Sequence, residues 1–305
     1  MDGLVGHDPA ALRYLENTYL KLQRTEPNLE LLVTGDLTAQ SLSTEFDEAE
    51  EFLAKKQKTP PFHGLGESDW LKRSVPGNHD QWPGLPFTIL GTRNARVGTM
   101  YPLDAYVIPS SWTLPNGFPI VFLGLNGDAD VRPFSRDRFL ARGSFVSAVQ
   151  ELRRLLLGRN DKEVRVLLLH HSLEYPGQPL TSTQARALEI DNVSRGELEH
   201  LLQEFDIRVV LSGHAHDPFF VGIVPNVLSR AGLGVLEGRC GTTTQRLKRA
   251  LNSLLVHRIS QKPADGTLWW QSALYVHRAS RTPEFEPAGA QLGQRDAEAM
   301  IQIYP

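Results

Sequence analysis

The chain alternates between segments with helical spacing of apolar residues and short, continuous apolar runs. Between Asp8 and Arg24, apolar side chains recur every three or four residues, which predicts an amphipathic helix. Asp8 and Pro9 suit the N-cap and the first turn of this helix. Further helices are predicted over 43–56, 144–157 and 194–205.

The continuous apolar runs predict buried strands between these helices. The predicted strands are 29–33, 120–125, 164–169 and 207–211, with further β-like segments at 254–259 and 268–276. Short apolar runs of this kind are typical of strands that are buried on both faces. Because strands alternate with helices over much of the chain, we predict an α/β fold. We expect one domain over residues 1–280 and a polar, loosely packed tail over 281–305.

The amino-acid composition favours an ordinary globular protein. Hydrophobic residues make up 41% of the chain and charged residues 22%, which is ordinary for a globular protein, and the net charge of -3 gives no attraction to nucleic acid or acidic membranes. The single cysteine, Cys240, excludes an internal disulfide and favours a reducing compartment. We find neither a signal peptide nor an apolar run of the roughly 20 residues that span a membrane. The sequence therefore predicts a soluble, cytoplasmic protein.

Candidate metal ligands stand directly after the predicted strands and after Ser74-Val75. The groups are Thr34-Gly35-Asp36, Pro76-Gly77-Asn78-His79-Asp80, His170-His171 and Ser212-Gly213-His214-Ala215-His216. Because ligands collect beyond the carboxyl ends of strands in open α/β sheets, we expect these groups to converge. Carboxylate, amide and imidazole donors together suit Mn, Fe or Zn better than Ca.

Each group also has an ordinary structural interpretation. An Asp after Gly usually caps a turn, and adjacent histidines lie more often on the surface or in the core than on a metal. His214 and His216 are a stronger signal, because residues two apart in an extended segment point to the same side. The occurrence of all four groups in this order favours a metal site.

This ordered series resembles the calcineurin-like metallophosphoesterases, and the resemblance extends over about residues 9–244. It implies a four-layer sandwich, in which two packed mixed β-sheets are flanked by helices. It also implies hydrolysis of phosphomonoesters or phosphodiesters at a dinuclear site for divalent metal ions.

The resemblance further implies a role for each matching residue. The second metal would be held by Asp36, Asn78, His170 (with His171 as the alternative) and His214, and the first by Asp36 and His216. His79 would contact the phosphate and protonate the leaving group, and Asp80 would orient the His79 imidazole. Two cations about 3.5–4 Å apart can clamp both the attacking and the leaving oxygen of an in-line displacement.

The family's first motif, Asp-x-His at the end of the first strand, is missing. Asp2-Gly3-Leu4 carries leucine where histidine is required, so the first metal keeps only two ligands. Either the chain starts at an internal methionine, after the first strand, or the protein has lost that site and is a one-metal enzyme or a scaffold. We favour the first explanation, since omission of an internal strand leaves neighbouring backbone groups unpaired.

The sequence therefore predicts a metal-dependent hydrolase for a small phosphoester. The alternative is a catalytically impaired relative that binds one metal or serves as a scaffold. A nuclease is disfavoured by the mildly acidic charge and by the lack of a basic cluster near the motifs. We expect neither a nucleic-acid nor a membrane partner.

Overall fold

A computed structural model of the chain describes residues 9–55, 64–82, 92–114, 117–159, 162–173, 190–214, 224–227, 234–241, 243, 252–277, 283–288 and 298–304. The helices are α1 (Pro9–Thr25), α2 (Ser43–Ala54), α3 (Asn78–Gln81), α4 (Ala95–Met100), α5 (Arg136–Phe139), α6 (Val146–Leu156) and α7 (Asn192–Glu204), with a 3-10 turn at Trp70–Arg73. The strands are β1 (Ala105–Thr113), β2 (Pro119–Leu125), β3 (Val164–Leu169), β4 (Val209–Ser212), β5 (Val224–Val227), β6 (Gly234–Arg239), β7 (Ser253–Gln261), β8 (Leu268–Val276), β9 (Glu286–Pro287) and β10 (Glu298–Tyr304).

The larger sheet has six strands in the order β1-β2-β3-β4-β6-β5. Strands β2, β3, β4 and β6 are parallel, whereas β1 and β5 are antiparallel to their neighbours. Parallel strands end at the same edge of a sheet, so the residues that follow β3 and β4 emerge side by side.

The smaller sheet is antiparallel, with the order β10-β8-β7, and β9 also pairs with β8. Its strands β9 and β10 come from the segment that we expected to be a loosely packed tail. Ala288 and Ile303 are buried in the core, so the described parts of this segment are packed against the domain rather than loose.

The two sheets are flanked by helices, which confirms the predicted α/β fold class.

Alternating side chains of β2 divide between two hydrophobic cores. Val121, Leu123 and Leu125 pack with α6 and α7, together with Phe145, Leu152, Leu198 and Leu201. Ile120 and Phe122 point to the other face, where they pack with residues of the smaller sheet such as Trp270 and Leu274. Because both faces of these strands are buried, the strands appear in the sequence as continuous apolar runs.

The strand predicted at 29–33 is wrong, because within the described residues only Val33 makes an isolated parallel bridge, to Ser74. Two elements were not predicted: the helical turn Asn78–Gln81, and strand β1, which contains Pro109 and lies at a sheet edge. The Asp8 N-cap prediction lies outside the described residues.

The described helices also bear on the membrane prediction. In the described part of the chain, no helix combines the length and the apolar composition needed to cross a membrane.

Candidate metal centre

A tight turn after Val33 places Asp36. Gly35 has a φ of 94° and Asp36 a φ of 55°, and a positive φ is uncommon for a residue other than glycine. A Cβ at Gly35 would lie 2.6 Å from His170 Nδ1, so this position has no room for a side chain. The turn therefore holds the Asp36 backbone in a conformation that costs energy, as is common at functional sites.

A second loop brings Asn78 to the same place. A Cβ at Gly77 would lie 2.1 Å from Asp36 Oδ1, so only glycine permits this approach. The backbone N–H of His79 donates to Asp36 Oδ1 at 3.1 Å. The first helical turn of α3 then carries the buried Asn78 side chain toward the strand ends.

The two histidines come from the ends of neighbouring parallel strands. His170 follows β3 directly, and His214 stands two residues after β4. The N–H of Gly213 donates to the carbonyl of His170 at 2.9 Å, which fixes the two strand ends to each other. Like Asp36, His214 has a positive φ, of 65°.

The four side chains converge at one point. His170 Nε2 lies 3.0 Å from Asn78 Oδ1, 3.1 Å from His214 Nδ1 and 3.4 Å from Asp36 Oδ1. His214 Nδ1 lies 3.0 Å from Asn78 Oδ1. Donor atoms that bind one ion at about 2.0–2.2 Å lie about 2.8–3.6 Å apart, so these spacings fit a single cation.

The protonation of His170 supports the same conclusion. Its Nδ1 lies 2.7 Å from the carbonyl oxygen of Thr34, which can only accept a hydrogen bond, so Nδ1 carries the proton. In the neutral ring, Nε2 then presents a lone pair to the oxygens of Asn78 and Asp36. Lone pairs that face one another repel unless a cation lies between them. A carbonyl that orients a histidine in this way is usual for metal ligands.

His79 lies beside this cluster with a partly exposed side chain. Its Nδ1 is 3.0 Å from the carbonyl oxygen of Ala39. By the argument used for His170, this contact places a proton on Nδ1. Nε2 is then the atom of His79 that can exchange a proton with a substrate.

Asp80 does not take the position that we expected. The Ala39 carbonyl, rather than Asp80, contacts His79 Nδ1. The buried Asp80 carboxylate instead accepts hydrogen bonds from the N–H groups of Gly77, at 2.8 Å, and Thr38, at 2.9 Å. Burial, followed by the nearby Asp36 carboxylate, raises the pKa of Asp80, whereas these backbone bonds lower it. Asp80 therefore joins the two loops that carry Asp36 and Asn78.

Of the remaining predicted ligands, His171 packs beside His214, with ring centroids 4.6 Å apart, but its Nε2 faces a different carboxylate. His171 Nε2 lies 3.5 Å from Asp128 Oδ1, and burial holds the pKa of His171 well below its ordinary value. Of the two adjacent histidines, it is thus His170 that reaches the cluster. His216 lies outside the described residues.

Sequence reasoning missed Asp128. This carboxylate is buried and also accepts a hydrogen bond from the indole N–H of Trp82 at 3.2 Å. Burial, with Asp36 second, raises its pKa to about 7. Asp128 could have been identified from the sequence, because it follows the apolar run of β2 as His170 and His214 follow β3 and β4.

Cys240 carries a free thiol. Burial raises the pKa of its thiol to about 12, so the thiolate is scarce at neutral pH.

We expect Gly77→Ala to displace Asp36 and to lower both stability and metal binding. The added methyl group would overlap Asp36, and overpacking costs about 1–3 kcal/mol of the free energy of unfolding. Gly196→Ala is a matched control, because a Cβ at Gly196 in α7 meets no atom within 4 Å. Denaturant titration and elemental analysis of both variants test this. Equal metal content in the two variants would contradict it.

Comparison with known proteins agrees with this geometry. A sequence profile described as calcineurin-like phosphoesterase matches residues 6–218. No curated protein matches the chain, and no solved structure matches it. The matched region spans more than half of the 305 residues and contains Asp36, Asn78, His170 and His214. The chain therefore belongs to the calcineurin-like phosphoesterase family.

Proposed function

We propose that the protein hydrolyses phosphodiesters or small phosphomonoesters with the help of bound divalent metal. The observation that carries the proposal is the convergence of one carboxylate, one amide and one imidazole on His170 Nε2, at distances of 3.0–3.4 Å. Membership of the calcineurin-like phosphoesterase family supports it, because the family implies metal-dependent hydrolysis of phosphoesters.

The cluster would hold the metal through Asp36, Asn78, His170 and His214. The nitrogen and oxygen donors suit Mn, Fe or Zn. When bound, the metal would supply positive charge that neutralises the phosphoryl oxygens and acidifies water. The chain's contribution is to fix the donors: Asp80 joins the two loops, and the Thr34 carbonyl sets the tautomer of His170.

His79 would provide the proton for the leaving group. Its Nδ1 is held by Ala39, and its side chain is partly exposed beside Asp36. Nε2 can therefore approach a phosphate oxygen. General acid catalysis by a positioned histidine typically accelerates a reaction by about 10²–10⁴-fold.

A dinuclear site would require further ligands besides Asp36. His216 is the candidate in this sequence. A second candidate function is a one-metal relative that is catalytically impaired or serves as a scaffold. Among the described residues, the group of acidic and histidine side chains suited to a metal consists of Asp36, His170 and His214.

For the substrate, we propose a small phosphoester in the cytoplasm. A net charge of -3 disfavours nucleic acid as a substrate and acidic membranes as a partner. Hydrolysis of an aryl phosphodiester and an aryl phosphomonoester, each with Mn, Fe or Zn added, tests the proposal. Turnover that chelation removes and added metal restores would support it. If neither substrate is hydrolysed by protein that has bound metal, the one-metal scaffold becomes the better description.

We expect the purified chain to retain close to one transition-metal ion after exhaustive dialysis. Four donors serve one position, whereas a second position would have only Asp36 and His216. Elemental analysis gives the number of ions per chain, and circular dichroism confirms that the sample is folded. A folded chain that retains no metal would contradict the candidate metal centre itself.

A further inference from the structure

The imidazole of His171 is buried beside the candidate metal centre. Its ring packs against the ring of His214, with centroids 4.6 Å apart and planes inclined by 47°. The His170 ring also packs against that of His214, with centroids 4.9 Å apart. His214 Nδ1, in turn, is directed toward Asn78 Oδ1 and His170 Nε2. Two neighbouring rings therefore limit how far the His214 imidazole can turn away from the position of the cation.

The connection between β2 and α6 encloses the His171 ring. A Cβ at Gly127 would lie 2.3 Å from His171 Nδ1, and a Cβ at Gly143 would lie 2.9 Å from its Cγ, so the backbone of both glycines approaches the ring closely. The N–H of Ser144 donates to the Gly127 carbonyl at 3.0 Å, which joins the two ends of the connection beside His171. The ring is thus held in place by backbone atoms rather than by flexible side chains.

The carboxylate of Asp128 links His171 to the loop that carries Asn78. Asp128 Oδ1 lies 3.5 Å from His171 Nε2, and Asp128 Oδ2 accepts a hydrogen bond from the Trp82 indole at 3.2 Å. Trp82 directly follows α3, and its backbone N–H donates to the Asn78 carbonyl at 3.0 Å. The Asn78 loop is therefore connected to the His214 ring along a path that does not pass through the cation.

Histidine suits position 171 better than an aliphatic residue does. Burial, followed by the charge of His170, holds the pKa of His171 well below its ordinary value, so its ring is neutral near pH 7 and does not repel a cation beside it. An aliphatic side chain would be equally neutral but would not offer a polar group to Asp128 Oδ1. Because the burial of a polar pair costs free energy, this pair indicates a role beyond the filling of space.

We infer that His171 and Asp128 are positioning residues for the candidate metal centre: Asp128 orients the His171 ring, and this ring keeps His214 Nδ1 directed at the cation. The inference rests on the metal centre of the proposed function but not on hydrolysis. Partners that orient a metal ligand typically contribute about 10–100-fold to metal affinity.

His171→Ala removes the ring that packs against His214. We expect the dissociation constant for Co²⁺, measured by titration of the metal-free chain, to rise about 10–100-fold. We also expect the visible absorption spectrum of bound Co²⁺ to change, because this spectrum depends on the arrangement of the ligands. Leu202→Ala is the matched control: Leu202 is also buried, but its carbonyl accepts from the N–H of Ile207, just before β4, at the sheet edge opposite to the cluster. This variant should lower the melting temperature and leave both Co²⁺ measurements unchanged.

Asp128→Asn separates positioning from direct attraction between charges. The asparagine keeps an oxygen for the Trp82 indole but removes the negative charge that faces His171 Nε2, and we expect the dissociation constant for Co²⁺ to rise about tenfold. If Asp128 acts through His171, the double variant should bind Co²⁺ about as weakly as His171→Ala alone. Independent effects would instead multiply, which would overturn the positioning role of Asp128 and make it a charge that attracts the cation directly.

Circular dichroism establishes that each variant is folded. An unchanged affinity or an unchanged Co²⁺ spectrum in folded His171→Ala would overturn the inference, and so would changes of the same size in Leu202→Ala. Should His171→Ala fail to fold, Asp128→Asn decides, and an affinity and a spectrum equal to those of the unaltered chain would overturn the inference. If the unaltered chain itself binds no Co²⁺, the metal centre and the proposed function fail together, whereas binding that does not depend on His171 overturns the positioning role alone.

Discussion

Asp36→Ala is expected to remove bound metal and hydrolytic activity together. Among the described residues, Asp36 supplies the carboxylate of the cluster, and its Oδ1 lies 3.4 Å from His170 Nε2. Without it, two imidazoles and an amide would remain, with no negative charge to offset that of the cation. Because the same carboxylate accepts the N–H of His79, the loop that carries Asn78 would also loosen. Elemental analysis and hydrolysis of an aryl phosphodiester measure both effects.

Two further variants separate charge from structure. Asp36→Asn keeps an oxygen that can accept the His79 N–H but removes the charge, so we expect a folded chain with little metal. Asp47→Ala is the matched surface control. The Asp47 side chain lies on α2, is 69% exposed and forms an ion pair with Arg96. If Asp36→Ala retained metal and Asp47→Ala did as well, Asp36 would not be a ligand.

The α/β fold class and the convergence of the candidate ligands were both predictable from the sequence. The convergence of His170 and His214 was predictable because each follows an apolar run, and the carboxyl ends of parallel strands share one edge. The role of Asp80 was not, because its contacts are with the N–H groups of Gly77 and Thr38, and sequence gives no information on the direction of a side chain within a loop. Asp128 was missed because no motif marked it, although it follows β2 in the same way.

The failed strand prediction at 29–33 has a physical cause. An apolar run reports that side chains are buried, whereas a strand also requires a partner for its backbone. Val33 has such a partner in Ser74, but Leu31 and Leu32 border an apolar cavity. The converse error concerns β1, whose Pro109 and adjacent serines suggest a loop. A sheet edge tolerates such residues, since one side of the strand needs no partner.

His79→Ala is expected to lower turnover by about 10²–10⁴-fold and to leave the metal content unchanged, since its imidazole is assigned to proton transfer rather than to metal binding. The Ala39 carbonyl holds Nδ1, and truncation of this partly exposed side chain leaves the backbone bond to Asp36 in place. His200→Ala, an exposed histidine on α7, is the matched control and should match the unaltered chain in both measurements. The decisive comparison is with Asp36→Ala, which should lose metal. If His79→Ala lost metal to the same extent, His79 would be a ligand, and the division between metal-binding and proton-donating residues would be wrong.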